Sequence, residues 1–118
     1  MKRILVSIFL AVLVLSTAFA GGKQESTSSK IVIGALIRNL DEQFLADYTA
    51  NLKDLATKAG VELKVLDSRS DQAMQLDQLN LLLTQGVKHF IIIPNQTEAT
   101  EQMTKAIQAK GGTAVFSN

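Results

Sequence analysis

Cysteine is absent from the whole sequence, which excludes disulfide stapling and every thiolate-based metal site. An oxidising compartment suits such a chain, and its stability must come from an ordinary apolar core. There is a single histidine, His89. With no second imidazole or thiol to share a metal ion, it is expected to be structural, at the start of a buried strand. No glycine-rich loop follows the first apolar run, and Gly34 stands alone inside it, so the phosphate-cradling fingerprint of nucleotide-binding folds is missing. No basic stretch is interleaved with aromatics, which argues against nucleic acid as a partner. Nor is there a nucleophile elbow, a triad order or a paired-acid constellation. These gaps point away from catalysis, from a metal and from a cofactor.

What is present begins with an export pattern. Met1-Lys2-Arg3 supplies positive charge, Ile4 to Leu15 is an almost unbroken apolar run, and Ala18-Phe19-Ala20 places small residues where a signal peptidase cuts. Residues 1–20 are therefore expected to be a signal peptide cleaved after Ala20. The apolar run falls short of the roughly 20 residues that a membrane-spanning helix needs, and no cysteine follows for lipid attachment. Of 12 Lys and Arg, two belong to this segment, which leaves ten against 11 Asp and Glu; the mild basicity of the whole chain resides in its export signal. Residues 21–30 are polar and aperiodic, as in a flexible leader. Residues 21–118 are long enough for one small domain and too short for a two-domain enzyme, and the folded part is expected to start at Ile31.

From Ile31 onward, short β-branched runs alternate with longer stretches of helical period, which is the pattern of a parallel sheet carrying helices on its faces. Ile31 to Ile37 is apolar throughout, as in a strand covered on both sides. Phe44, Leu45, Tyr48, Leu52, Leu55, Ala56 and Ala59 then recur at three- and four-residue steps, predicting a helix that Gly60 ends. Val61 to Leu66 alternates, which suits an edge strand. Ser70 or Asp71 can cap a second helix carrying Met74, Leu76, Leu79, Leu82 and Leu83, stopped by Gln85-Gly86. Phe90 to Ile93 is expected to be a central strand, which Pro94 terminates. A third helix is predicted from about Thr97 to Lys110, burying Ala99, Met103, Ala106 and Ile107. Gly111-Gly112 breaks it, and Thr113 to Phe116 begins a fourth strand. With right-handed crossovers all strands are parallel and every strand-to-helix loop lies at one edge, where ligands of such sheets bind. The last strand then lacks a covering helix and further partners, so the sequence is expected to be part of a longer polypeptide.

The edge segments are Arg38 to Gln43, Asp67 to Asp71, Pro94 to Gln96, and Ser117-Asn118. The first is the richest in polar chemistry. Asp41 and Glu42 are carboxylates that can accept paired hydrogen bonds from adjacent hydroxyls, and such charge-assisted bonds are the strong ones. Phe44 offers a flat surface for the apolar face of a sugar ring. The competing view is that Asp41 and Glu42 only favour a helix N-terminus while Phe44 packs into the core. Asp67 and Ser68 are expected to close a turn through local hydrogen bonds.

In the order and spacing of five segments the chain resembles the periplasmic sugar-binding proteins of the ribose and galactose/glucose type. The segments are Ile33 to Ile37 with Phe44 after the loop, Val65-Leu66-Asp67-Ser68, Asp77-Gln78 leading to Gln85-Gly86-Val87-Lys88, Ile91-Ile92-Ile93-Pro94, and Val115 to Asn118. The resemblance implies a type I periplasmic-binding-protein-like α/β fold, of which residues 31–118 form an incomplete N-terminal lobe. It further implies a monosaccharide, hexose or pentose, held between two lobes, an ABC permease as membrane partner and a chemoreceptor as a further one. By position, Glu42 matches an Asp or Asn that bonds sugar hydroxyls, Phe44 an aromatic that stacks on the ring, and Asn118, or Ser117 in a register shifted by one, a polar residue ending the fourth strand. Glu42 is longer than that acid, and Ile93 stands where Asn or Ser is common. Three alternatives share parts of the pattern. An effector domain of a sugar-responsive repressor would need a DNA-binding helix pair where the export signal stands. A small Rossmann-like or flavodoxin-like enzyme would need a phosphate loop. A non-binding envelope protein could keep the fold without the site.

Overall fold

The computed structural model describes residues 29–118; the expected signal peptide, residues 1–20, and nearly all of the expected leader lie outside the described residues. Four strands and three helices alternate: β1 (Val32–Ile37), α1 (Gln43–Ala59), β2 (Glu62–Asp67), α2 (Gln72–Thr84), β3 (His89–Ile92), then a 3-10 turn (Thr97–Ala99) leading into α3 (Thr100–Ala109), and β4 (Thr113–Phe116). All pairings are parallel and the strand order is β2-β1-β3-β4. β1 and β3 are thus central, and β2 is at an edge, as its alternation predicts.

This order decides where the helices go. From β1 the chain steps outward to β2, then returns past β1 to β3 and continues to β4. Right-handed crossovers in opposite directions put their helices on opposite faces of a sheet. α1 accordingly packs on one face, its Leu45 and Tyr48 against Ala35, Ile37 and Ile93 with Leu40, Leu63 and Val65 around them. On the other, α2 and α3 cover Leu36, Phe90 and Ile92 with Leu79, Leu82, Leu83, Val87, Met103 and Ile107. Ala35, Leu36 and Ile37 are all wholly inaccessible, so consecutive residues of β1 are buried on opposite sides, which explains the absence of polar alternation in that strand. α2 approaches β1 closely: a Cβ on Gly34 would lie 2.8 Å from Leu82 Cδ1 and 2.9 Å from the Phe90 ring.

The helix ends follow local chemistry. α1 stops at Gly60, which takes a left-handed φ of 70° and returns its N–H to the carbonyls of Ala56 and Thr57. Asp71 caps α2 by accepting the Met74 N–H at 3.0 Å. Three details differ from expectation. Leu55 is exposed, because α1 lies over β1 and β2 and, among the described residues, that flank of the helix meets no second helix. Met74 is exposed and its neighbour Gln75 is buried, because the inward stripe of α2 runs through Gln75, Leu79 and Leu82, three- and four-residue steps that leave Met74 to one side. His89 begins β3 but is exposed rather than buried, and its Nδ1 lies 3.0 Å from the Thr113 hydroxyl across the β3–β4 pair. Among the described residues no helix is long and apolar enough to cross a membrane.

Candidate functional site

The reversal in strand order lies between β1 and β3. Beyond β1 the chain turns to the α1 face, and beyond β3 it turns to the opposite face. Open parallel sheets take ligands at the carboxyl ends of the strands beside such a reversal. The segments that stand there are Arg38 to Glu42 after β1 and Pro94 to Gln96 after β3, with Asp67 to Asp71 from the end of β2, next to β1.

The loop after β1 is organised by an ion pair. Arg38 donates to Glu42 twice, from Nε to Oε1 at 3.0 Å and from Nη2 to Oε2 at 2.7 Å, and both side chains are about two-fifths exposed, 38% and 42%. This fork-to-fork geometry fixes the guanidinium plane and leaves outward lone pairs and N–H groups. The hydrogen bonds from Arg38 hold the Glu42 carboxyl below the usual carboxylate range, with charge attraction adding and desolvation opposing. The guanidinium is raised by the same hydrogen bonds. Glu42 occupies the N-cap of α1 without accepting a cap bond from the helix; its carboxylate faces Arg38 instead. Asp41 is exposed, and its backbone N–H is taken by Asn39 Oδ1 at 2.9 Å.

Phe44 is 71% exposed, so the alternative that it packs into the core is overturned. Leu45, 2% exposed, fills the inward position instead. The Phe44 ring stacks on Tyr48 one helical turn along, with centroids 6.5 Å apart and 28° between planes. An accessible aromatic pair therefore stands at the start of α1 beside the ion pair.

The loop after β2 carries left-handed backbone at two non-glycine residues, Arg69 (φ 49°) and Ser70 (φ 64°), a conformation uncommon for such residues. Hydrogen bonds hold it: Asp67 Oδ1 accepts from Arg69 N–H at 2.9 Å and Leu40 N–H at 3.3 Å, and Ser70 N–H reaches the Arg38 carbonyl. Asp67 closes the turn as expected. The Ser68 hydroxyl does not act locally; wholly buried, it lies 3.2 and 3.1 Å from the carbonyls of Ile37, the last residue of β1, and Arg38, the first beyond it.

Ser117 and Asn118 continue β4 at the same edge of the sheet, Ser117 N–H bonding the Ile92 carbonyl at 3.0 Å. They line a concavity of about 530 Å³ shared with Pro94, Thr97, Thr100 and Phe116, between β4 and α3. That concavity does not reach Asp41, Glu42 or Phe44. β3 lies between β1 and β4, so the two groups stand on either side of it. The expected residues share one rim without converging in one pocket.

Reading by residue type overlooked Arg38, Asn39, Gln75 and Asn95. An opposite-charge pair at i and i+4 is a visible signal for Arg38. Nothing in the sequence marks Gln75 or Asn95, whose roles depend on contacts between distant segments. Ile93 is buried under α1, and the polar group near the end of β3 comes two residues later, from Asn95.

Residues 33–118 match the family described as periplasmic binding protein domain. The chain belongs to this family. It is 31% identical over 119 residues, covering 100% of this chain and 35% of the relative, to a protein of Rhizobium meliloti named as rhizopine-binding. Over 102 residues it is 30% identical to the ribose import binding protein of Salmonella typhimurium, covering 86% of this chain and 34% of that protein. The chain spans about a third of the length of these relatives. Among solved structures, the Caulobacter myo-inositol binding protein bound to myo-inositol superposes with a TM-score of 0.72 at 24% identity, over 75% of this chain and 30% of that one. A Mycobacterium smegmatis solute binding protein with bound glycerol gives 0.70 at 24% identity, over 74% and 30%. These structural matches establish a type I periplasmic-binding-protein fold, present here as part of one lobe.

Proposed function

We propose that this chain forms part of the N-terminal lobe of a periplasmic carbohydrate receptor, the substrate-binding component of an ABC sugar uptake system, and that it catalyses no reaction. The observation that carries the proposal is the exposed Phe44 ring beside the forked Arg38–Glu42 pair at the reversal point of a parallel sheet. A monosaccharide, hexose or pentose, suits that chemistry. Its apolar face covers Phe44, its hydroxyls donate to Glu42 and Asp41 and accept from Arg38, and Ser117 and Asn118 meet its far side. The relatives named for rhizopine and ribose are binding proteins, which agrees with a receptor. Membership of a periplasmic family points to the periplasm, reached by way of the export signal cleaved after Ala20. A facing lobe supplies the remaining partners, and closure of the two around the sugar is the state that an ABC permease, and a chemoreceptor where one is served, recognises.

One lobe alone offers half of a binding site, so its affinity belongs in the millimolar range, about 4 kcal/mol. Amide chemical-shift titration of the chain with D-ribose, D-glucose and myo-inositol reads such weak binding. Saturable shifts are expected at residues 38–45 and at Asn118 with at least one of the three. Phe44→Ala should abolish them while leaving stability within about 0.5 kcal/mol, as for other exposed positions. Absence of saturable shifts with every sugar, or an unchanged response in Phe44→Ala, would overturn the assignment.

A further inference from the structure

α2 presents three glutamines, Gln72, Gln75 and Gln78, at three-residue spacing, and each reaches a loop of the rim. Gln72 Oε1 accepts the Gln96 N–H at 3.0 Å, and Gln78 Nε2 donates to the Asp67 carbonyl at 2.9 Å. In both, the other amide atom is buried with no partner among the described residues. Gln75 differs. It is wholly inaccessible and uses both ends, Nε2 donating to the Ile93 carbonyl at 2.9 Å and Oε1 accepting the Asn95 N–H at 3.1 Å.

From Gln75 the contacts run on. Asn95 Nδ2 donates to Ser68 Oγ at 2.7 Å and lies 3.3 Å from the Asp71 carbonyl. The Ser68 hydroxyl, having accepted from Asn95, turns its own hydrogen to the carbonyls of Ile37 and Arg38. Arg38 in turn holds Glu42. One buried amide is thus joined through two further side chains to the loops after β1, β2 and β3. The loops after β1 and β2 are also joined directly, Leu40 N–H to Asp67 Oδ1 and Ser70 N–H to the Arg38 carbonyl, whereas the loop after β3 reaches the loop after β2 through the Asn95 side chain. Buried polar networks of this kind stay rigid only when every member is satisfied.

We propose that Gln75 is the positioning residue of the rim: it touches no ligand, and through Asn95 and Ser68 it fixes the loop that carries Arg38 and Glu42. The inference rests on the rim being the ligand edge, but its decisive test needs no ligand. Gln75→Met keeps the side-chain length and removes both polar ends of the amide. Amide hydrogen exchange, followed residue by residue in the chain, should then rise at least tenfold at Leu40 and Ser70. Ser70 N–H shares the Arg38 carbonyl with Ser68, Leu40 N–H is held by Asp67 next to Ser68, and neither Leu40 nor Ser70 makes a described contact with Gln75. Exchange in the centre of β1 should stay within twofold. Ser68→Ala cuts the same relay at another link and should loosen the same amides, which keeps the test decisive should Gln75→Met fail to fold. An unchanged rate at Leu40 and Ser70 in the folded variants would overturn the proposal, as would a uniform rise across rim and core, since the latter is the mark of general destabilisation. In the D-ribose and myo-inositol titrations the dissociation constant of the variant should rise at least fivefold. A loosened rim with unchanged sugar affinity would instead strike at the rim as ligand edge, and with it at the sugar-receptor reading.

Discussion

Arg38 and Glu42 form a pair whose behaviour with pH follows from its geometry. The guanidinium bonds hold the Glu42 carboxyl below its ordinary value, so the ionised pair contributes fully above the unfolded glutamate value of about 4.3. That contribution is lost as pH falls through the depressed folded value. The pair is part-exposed and its effect on global stability is small, so the carboxyl carbon shift is the better reporter. Its titration midpoint should lie below about 4.3 and return to that value in Arg38→Gln; a midpoint already ordinary in the unsubstituted chain would contradict the bidentate pair. At this scale the sequence was informative by type and silent on geometry. Carboxylates and an aromatic in one loop could be read directly. Whether Phe44 pointed inward depended on which of two adjacent apolar residues met the sheet, and Leu45 took that place. For Gln75, a polar residue in an otherwise apolar stripe, composition suggests the surface, and burial follows only because the backbone of β3 and its loop offers both a carbonyl and an N–H.

Among the elements, caps and breakers were the most legible features because they act within one turn of chain. Gly60 ends α1 in a left-handed conformation, and Asp71 caps α2, as local chemistry requires. Asp71→Ala should cost about 1 kcal/mol, seen as a lower urea midpoint with an unchanged slope; an unaltered midpoint would show that the cap bond is not formed in solution. Helical faces were harder. Leu55 and Leu81 are apolar and exposed, and periodicity alone does not tell how wide a stripe the neighbouring element will cover. The third helix begins as a 3-10 turn over Thr97–Ala99 before α3 proper, a distinction too fine for side-chain pattern, since both forms bring i and i+3 together.

At the scale of the whole sheet, β4 is an edge strand among the described residues, with Val115 64% exposed on the α1 face, and α1 covers only the opposite half of that face. Exposed apolar edge strands pair with other copies. Val115→Lys should therefore reduce concentration-dependent association in sedimentation velocity without lowering the thermal midpoint; equal association in both forms would show that this edge is not used. Residues 31–118 by themselves determined the alternation of strands and helices, the parallel sheet, the edge character of β2, the central place of β3 and the rim on which polar loops gather. Those follow from period, β-branching and turn residues, all short-range properties, together with the handedness of crossovers. Tertiary structure alone decided that the reversal falls between β1 and β3, that Arg38 closes on Glu42, that Ser117 and Asn118 stand across β3 from Phe44, and that Gln75 joins three loops from beneath. Each of these depends on which distant segments become neighbours, and side-chain geometry at such meetings is set by packing of the entire sheet rather than by any run of residues along it.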